Sequence, residues 1–213
     1  MAVPPELGSD AASYPVHGRQ GFLFLNRNIG FGSFATDKLR RGITVGSGEL
    51  DPGLTSSTSK REDHTVSTFS MQGWRGMCEA RHTSERTTET TGVGVSSQRG
   101  VYAEKSESVV ESSSYECELT GPRGQHTHVD LSELGGSVVD STGSVAYSLS
   151  PIGENMTMKH PPLRGYLIEG SSGEGVAAVQ TSFDGVVYFS RSLDSTQRSE
   201  VAVVCVAVLL RGD

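Results

Sequence analysis

Apolar and polar positions alternate with a period of two over much of the chain, in short runs separated by glycine- or proline-containing breaks. That pattern predicts strands and tight turns rather than helices. It is clearest toward the C-terminus, where residues 164–169, 176–183 and 186–190 read as strands and Asp184-Gly185 as the hairpin turn between the last two. Residues 126–134 form another strand, and 137–150 form two, divided at Ser141-Thr142-Gly143. Residues 21–34 read as strand, turn and strand, and 36–41 as one helical turn. The Ser/Thr-rich stretch 50–64, with Lys60, Arg61, Glu62 and Asp63 together, predicts an exposed loop, and 151–162 a second one.

Two runs depart from simple alternation. Residues 201–210 are apolar at every position, which predicts a strand covered on both faces, at the centre of a sandwich or against a partner subunit. Residues 77–119 contain no proline and are rich in Thr, Val, Ser and Tyr, so they read as one long hairpin. A turn at Ser97-Gln98 sets Ser96 opposite Arg99, Arg86 opposite Val109 and Ala80 opposite Tyr115. The same register brings Cys78 opposite Cys117, a candidate disulfide whose meeting favours it. The alternative is a break at Gly92 or Gly94 into ordinary short strands.

The expected fold is therefore all-β: an antiparallel β-sandwich or barrel with one long projecting hairpin and little helix. Residues 1–20, with three prolines, form an irregular N-terminal arm that frays or docks on a neighbour, and 21–213 a single β domain carrying the hairpin 77–119. Composition agrees, at 213 residues, 35% hydrophobic and 26 glycines. A formal charge of −7 leaves no broad basic face, so sequence-specific nucleic-acid binding is not expected. Residues 1–20 show no secretory leader, and neither 22–25 nor 201–210 reaches the twenty or so residues of a membrane helix. Three cysteines do not make the framework of a small secreted domain.

Candidate chemistry is sparse. His126-Thr127-His128-Val129-Asp130 places His126, His128 and Asp130 on one strand face, where they are candidate metal ligands. The run resembles part of the HxHxDH motif of the metallo-β-lactamase fold, with Leu131 where that motif has its last histidine. The resemblance implies a metal-dependent hydrolase. The glycine-rich run 170–175 lacks the Lys-Ser/Thr ending of a phosphate loop and reads as a turn. No G-x-S-x-G elbow occurs, and no cofactor is expected. Asn155-Met156-Thr157 fits a glycosylation acceptor and Arg211-Gly212-Asp213 the integrin-binding tripeptide, both short patterns of low specificity.

The long hairpin also resembles the insertion hairpins of aerolysin-type pore-forming proteins, which implies a pore-forming or cell-surface-binding role. Its charges oppose a lipid face: Arg86, Lys105, Glu107 and Glu111 lie on one side, Glu79, Arg81, Glu85, Glu89, Glu104 and Glu116 on the other. A basic residue facing lipid at the bilayer midplane costs about 2–4 kcal/mol. Only the tip is apolar, at Val93, Val95, Val101 and Tyr102, and these with Trp74 are the candidate subunit contacts. The leading expectation is a non-enzymatic, self-assembling structural subunit of the virion-shell or tail-tube type, whose partners are other copies of itself or other structural subunits. A virion is the expected location for a viral chain, and the cytoplasm otherwise.

Overall fold

A computed structural model describes residues 7–8, 11–19, 28–42, 45–52, 56–96, 100–132, 134–152, 165–182 and 184–211, with 91–96 and 100–104 described by their backbone alone. The strands are β1 (Ala12–Pro15), β2 (Gly30–Phe31), β3 (Phe34–Ala35), β4 (Lys38–Arg41), β5 (Val45–Pro52), β6 (Ser56–Met71), β7 (Trp74–Ser96) and β8 (Gly100–Thr120). They continue as β9 (His126–Ser132), β10 (Gly135–Asp140), β11 (Val145–Pro151), β12 (Gly165–Gly170), β13 (Gly175–Gln180) and β14 (Val186–Phe189), and helix α1 (Ser195–Arg211) follows. Twelve strands make one antiparallel sheet in the order β1-β14-β13-β12-β11-β10-β9-β8-β7-β6-β4, with β5 also on β6. The expected all-β antiparallel class with little helix is what the chain adopts.

The chain divides into two compact units. One comprises Met1–Gly42, Val66–Glu79 and Tyr115–Asp213, the other Ile43–Thr65 and Ala80–Ser114.

In the first unit the sheet is a meander around a helix. On β9, Thr127, Val129 and Leu131 point inward while His126, Asp130 and Ser132 are exposed. Helix α1 packs against both β9 and β13. Those strands are four positions apart in the sheet, about 19 Å if it were flat, against a helix about 10 Å across. Contact with both requires the sheet to curl around α1. The two edges, β1 and β4, are linked by the β2–β3 hairpin: His17, just past β1, exchanges backbone hydrogen bonds with Gly30 of β2 at 2.8 and 3.0 Å, and β3 leads directly into β4. Phe31 and Phe34 of that hairpin stack against Phe189 of β14 at 6.2 and 5.7 Å.

The run 201–210 is helical, which corrects the expected strand. All ten residues are buried, so the inference that every side of it is covered holds while the period does not. A uniformly apolar run carries no period, and its five valines, poor helix formers, are overridden by enclosure on all sides. The start is locally encoded. The Asp194 carboxylate accepts from the backbone N–H of Thr196 and Gln197, both at 2.8 Å, and Gln197 Oε1 accepts from Asp194 N–H at 3.1 Å, a reciprocal cap. Near the other end, buried Arg19 donates from Nε to the Leu209 carbonyl at 3.1 Å and from its terminal nitrogen to the Thr181 carbonyl, and Tyr115 donates to the Ala207 carbonyl at 2.6 Å.

Other expectations are corrected too. The N-terminal arm docks on its own chain: β1 pairs β14, and Leu7 covers the outer side of Leu167, Ala178 and Tyr188. Residues 38–41 are a strand on β6 rather than a helical turn, because Leu39 turns inward while Lys38 and Arg40 face out. Within the stretch 50–64 the described residues, 50–52 and 56–64, belong to the β5–β6 pair and not to a loop: residues polar on both faces satisfy a backbone ladder as well as apolar ones do. The hairpin stands, with β7 beside β8 and continuous through Gly92 and Gly94. Its turn at 97–98, like 22–25, the Asn155 acceptor and the final Gly212-Asp213, lies outside the described residues. Between β6 and β7, Gln72 and Gly73 both have positive φ, 50° and 83°, the backbone of a two-residue type I′ turn.

Candidate subunit interface

The second unit is built from β5, most of β6 and the adjoining lengths of β7 and β8, in that order across the sheet. Serine, threonine and charge occupy both faces of these strands, so neither face has a hydrophobic set to bury. None of the unit's described residues is buried. All eight residues of β5 are exposed, Val45 and Leu50 at 68% and 67%. What holds the strands laterally is polar. Across strands, Arg86 Nε sits 2.7 Å from Glu107 Oε1 and the Thr58 and Thr87 hydroxyls are 3.4 Å apart, and within β6 Arg61 Nε is 3.0 Å from Asp63. Exposed pairs of this kind are worth well under about 1 kcal/mol each.

Strand β8 has an open edge. It pairs with β9 only from Glu116 to Thr120. From Lys105 to Ser114 every residue is exposed, Val109 and Val110 at 46% and 67%, and among the described residues no strand lies on the side away from β7. Such an edge presents a row of free backbone N–H and C=O groups.

The tip residues Val93, Val95, Val101 and Tyr102 fall on β7 and β8, but their side chains lie outside the described set. Trp74, a candidate subunit contact, is 6% exposed and packs in the first unit, where a Cβ on Gly121 would sit 3.1 Å from its ring. Cys78 and Cys117 form the disulfide that the register placed opposite one another. The third cysteine, Cys205, is buried in α1, and burial pushes its thiol pKa up.

His126, His128 and Asp130 do share one strand face, opposite Thr120, Glu118 and Glu116 of β8. They do not converge. Same-face neighbours on a strand stand about 7 Å apart, so His126 and Asp130 are about 13 Å apart along the backbone, too far for one ion with ligand bonds near 2 Å. Among the described residues no three His, Cys, Asp or Glu side chains are grouped for a metal. His128 Nδ1 instead lies 2.8 Å from Glu118 Oε1, a cross-strand pair that sequence spacing did not reveal. The sequence does not mark strand β5 either, since Gly46, Gly48 and Pro52 are poor strand formers. No family model, curated protein or solved structure matches this chain.

Proposed function

We propose that the chain is a non-enzymatic structural subunit that assembles with copies of itself, of the kind used in a virion shell or tail tube, and that β8 is the joining strand. The observation that carries this reading is the second unit: four strands without one buried residue among those described, ending in an open edge from Lys105 to Ser114. A sheet that buries nothing is marginal in water, and a strand added by a neighbour supplies the missing main-chain hydrogen bonds. The edge is self-complementary. Antiparallel pairing of two copies about Ser108 sets Lys105 opposite Glu111 of the second copy, and by symmetry does so twice. In the register shifted by two residues, about Val109, Glu107 meets Glu111, and like charges oppose the pairing.

Light scattering across a concentration series tests the reading. Mass should rise with concentration for the parent chain, Lys105→Glu should remain monomeric, and Lys105→Glu combined with Glu111→Lys should assemble again. A parent that stays monomeric up to millimolar concentration refutes self-assembly. A charge-swapped double variant that fails to recover refutes the β8 register.

A further inference from the structure

The first unit carries a cleft that assembly through β8 does not use. About 610 Å³ in volume, it lies on the outer face of β4, β6, β7 and β8, and its charged lining is Lys38, Arg40, Arg75 and Glu118. Three cations and one carboxylate gather here on a chain whose formal charge is −7. The carboxylate is already engaged, since Glu118 binds His128 at 2.8 Å. None of the side chains of Lys38, Arg40 and Arg75 has an ion-pair or hydrogen-bond partner among the described residues. The strands fix their spacing. Lys38 and Arg40 stand opposite Ser70 and Thr68 of β6, two residues apart and so about 7 Å from each other, and Arg75 is two strands from β4, about 10 Å away. The acidic row along the same face, Glu116 opposite Asp130, confines an anion to the Lys38–Arg75 end.

We infer that this cleft binds a sulfated saccharide, with Lys38, Arg40 and Arg75 each facing a sulfate. The volume suits a di- to trisaccharide. The strand positions of the three cations are about 7–10 Å apart, and with the side chains extended side by side that spacing matches sulfates on neighbouring sugar rings. The hydroxyls of Thr68, Ser70 and Thr120 between the cations pair with ring hydroxyls, and half-exposed Met77 offers an apolar patch to a sugar's C–H face. A nucleotide fits less well: among the described residues the one aromatic side chain lining the cleft, Phe69, is 4% exposed and presents no ring for a base to stack on.

Calorimetric titration of the full chain with a trisulfated disaccharide, its unsulfated parent, inorganic sulfate and inorganic phosphate tests the inference. Saturable binding of the sulfated disaccharide is expected, weakening as salt rises, with neither inorganic anion nor the unsulfated sugar binding comparably. Lys38→Gln with Arg75→Gln should weaken it at least tenfold, while Arg191→Gln, away from the cleft, leaves it unchanged. Far-ultraviolet circular dichroism and melting temperature verify that the cleft variant is folded. If that variant does not fold, Arg40→Gln alone should weaken binding severalfold. Equal binding of inorganic sulfate or phosphate, an affinity indifferent to the cleft substitutions, or no binding at millimolar ligand each overturns the inference. None of these outcomes depends on whether the chain self-assembles.

Discussion

Arg19 is a charged side chain 4% exposed to solvent, and its place explains how the fold tolerates it. The last carbonyls of a helix have no partner within the helix and carry partial negative charge, and Arg19 answers one of them at Leu209 while reaching the Thr181 carbonyl as well. Arg19→Ala should therefore cost about 2–3 kcal/mol in urea unfolding, chiefly through buried carbonyls left unanswered, with Arg19→Lys recovering only part. At the opposite end of α1, burial pushes the phenol of Tyr147 up to about 12, and the charges of Glu200, Asp194 and Glu174 add to it. Glu200 is raised above its ordinary 4.5, first by burial and then by Asp140, whose own carboxyl is held low by the Thr142 hydroxyl and so stays charged. A carboxyl with a raised pKa in the folded state favours folding while protonated, and that stability is lost as pH climbs from 4.5 through the folded value. Glu200→Gln should thus melt higher than the parent at pH 7, and the difference should close once the pH falls below about 4.5.

Element by element, legibility followed the kind of information each segment carries. The paired cysteines gave the long hairpin its register because two thiols 39 residues apart on facing strands leave little freedom. Removing both by Cys78→Ala and Cys117→Ala should cost up to about 4 kcal/mol, from the loop entropy returned to the unfolded chain, read as a lower thermal midpoint. By contrast, the uniformly apolar run 201–210 carries no period that separates helix from strand. Length and punctuation held the answer: ten apolar residues exceed a usual core strand, and Asp194-Ser-Thr-Gln197 is a helix-start signal seven residues upstream. Asp194→Ala should accordingly cost about 1 kcal/mol, measurable as a shift in urea midpoint without change of slope. The 50–64 stretch illustrates the opposite blind spot. Its strands are held by the backbone ladder between β5 and β6, and serine and threonine on both faces leave no alternation to detect. The histidine–aspartate run lies on one strand face, as its alternation predicts, yet whether three side chains meet depends on distance along the strand, which a motif match ignores.

For the whole molecule, burial is divided unequally. Every buried residue among those described belongs to the first unit, whose sheet encloses α1, while the second holds only exposed and half-buried ones. Opening of a segment is opposed by the apolar area it must expose, so the two units should differ in amide hydrogen exchange by orders of magnitude. Amides of 201–210 should exchange only through global unfolding, at a rate independent of protein concentration. Amides of 105–114 in dilute solution should exchange fast wherever they face the open edge of β8, because among the described residues no strand there accepts their hydrogen bonds. If a second copy docks on that edge, the same amides gain partners, and their exchange should slow in proportion to the fraction assembled, in the concentration range where light scattering sees mass increase. Lys105→Glu should abolish this protection and leave α1 untouched. Slow exchange through 105–114 in the dilute monomer would mean that the edge is already satisfied within one chain, and the physical need for a partner would vanish with it.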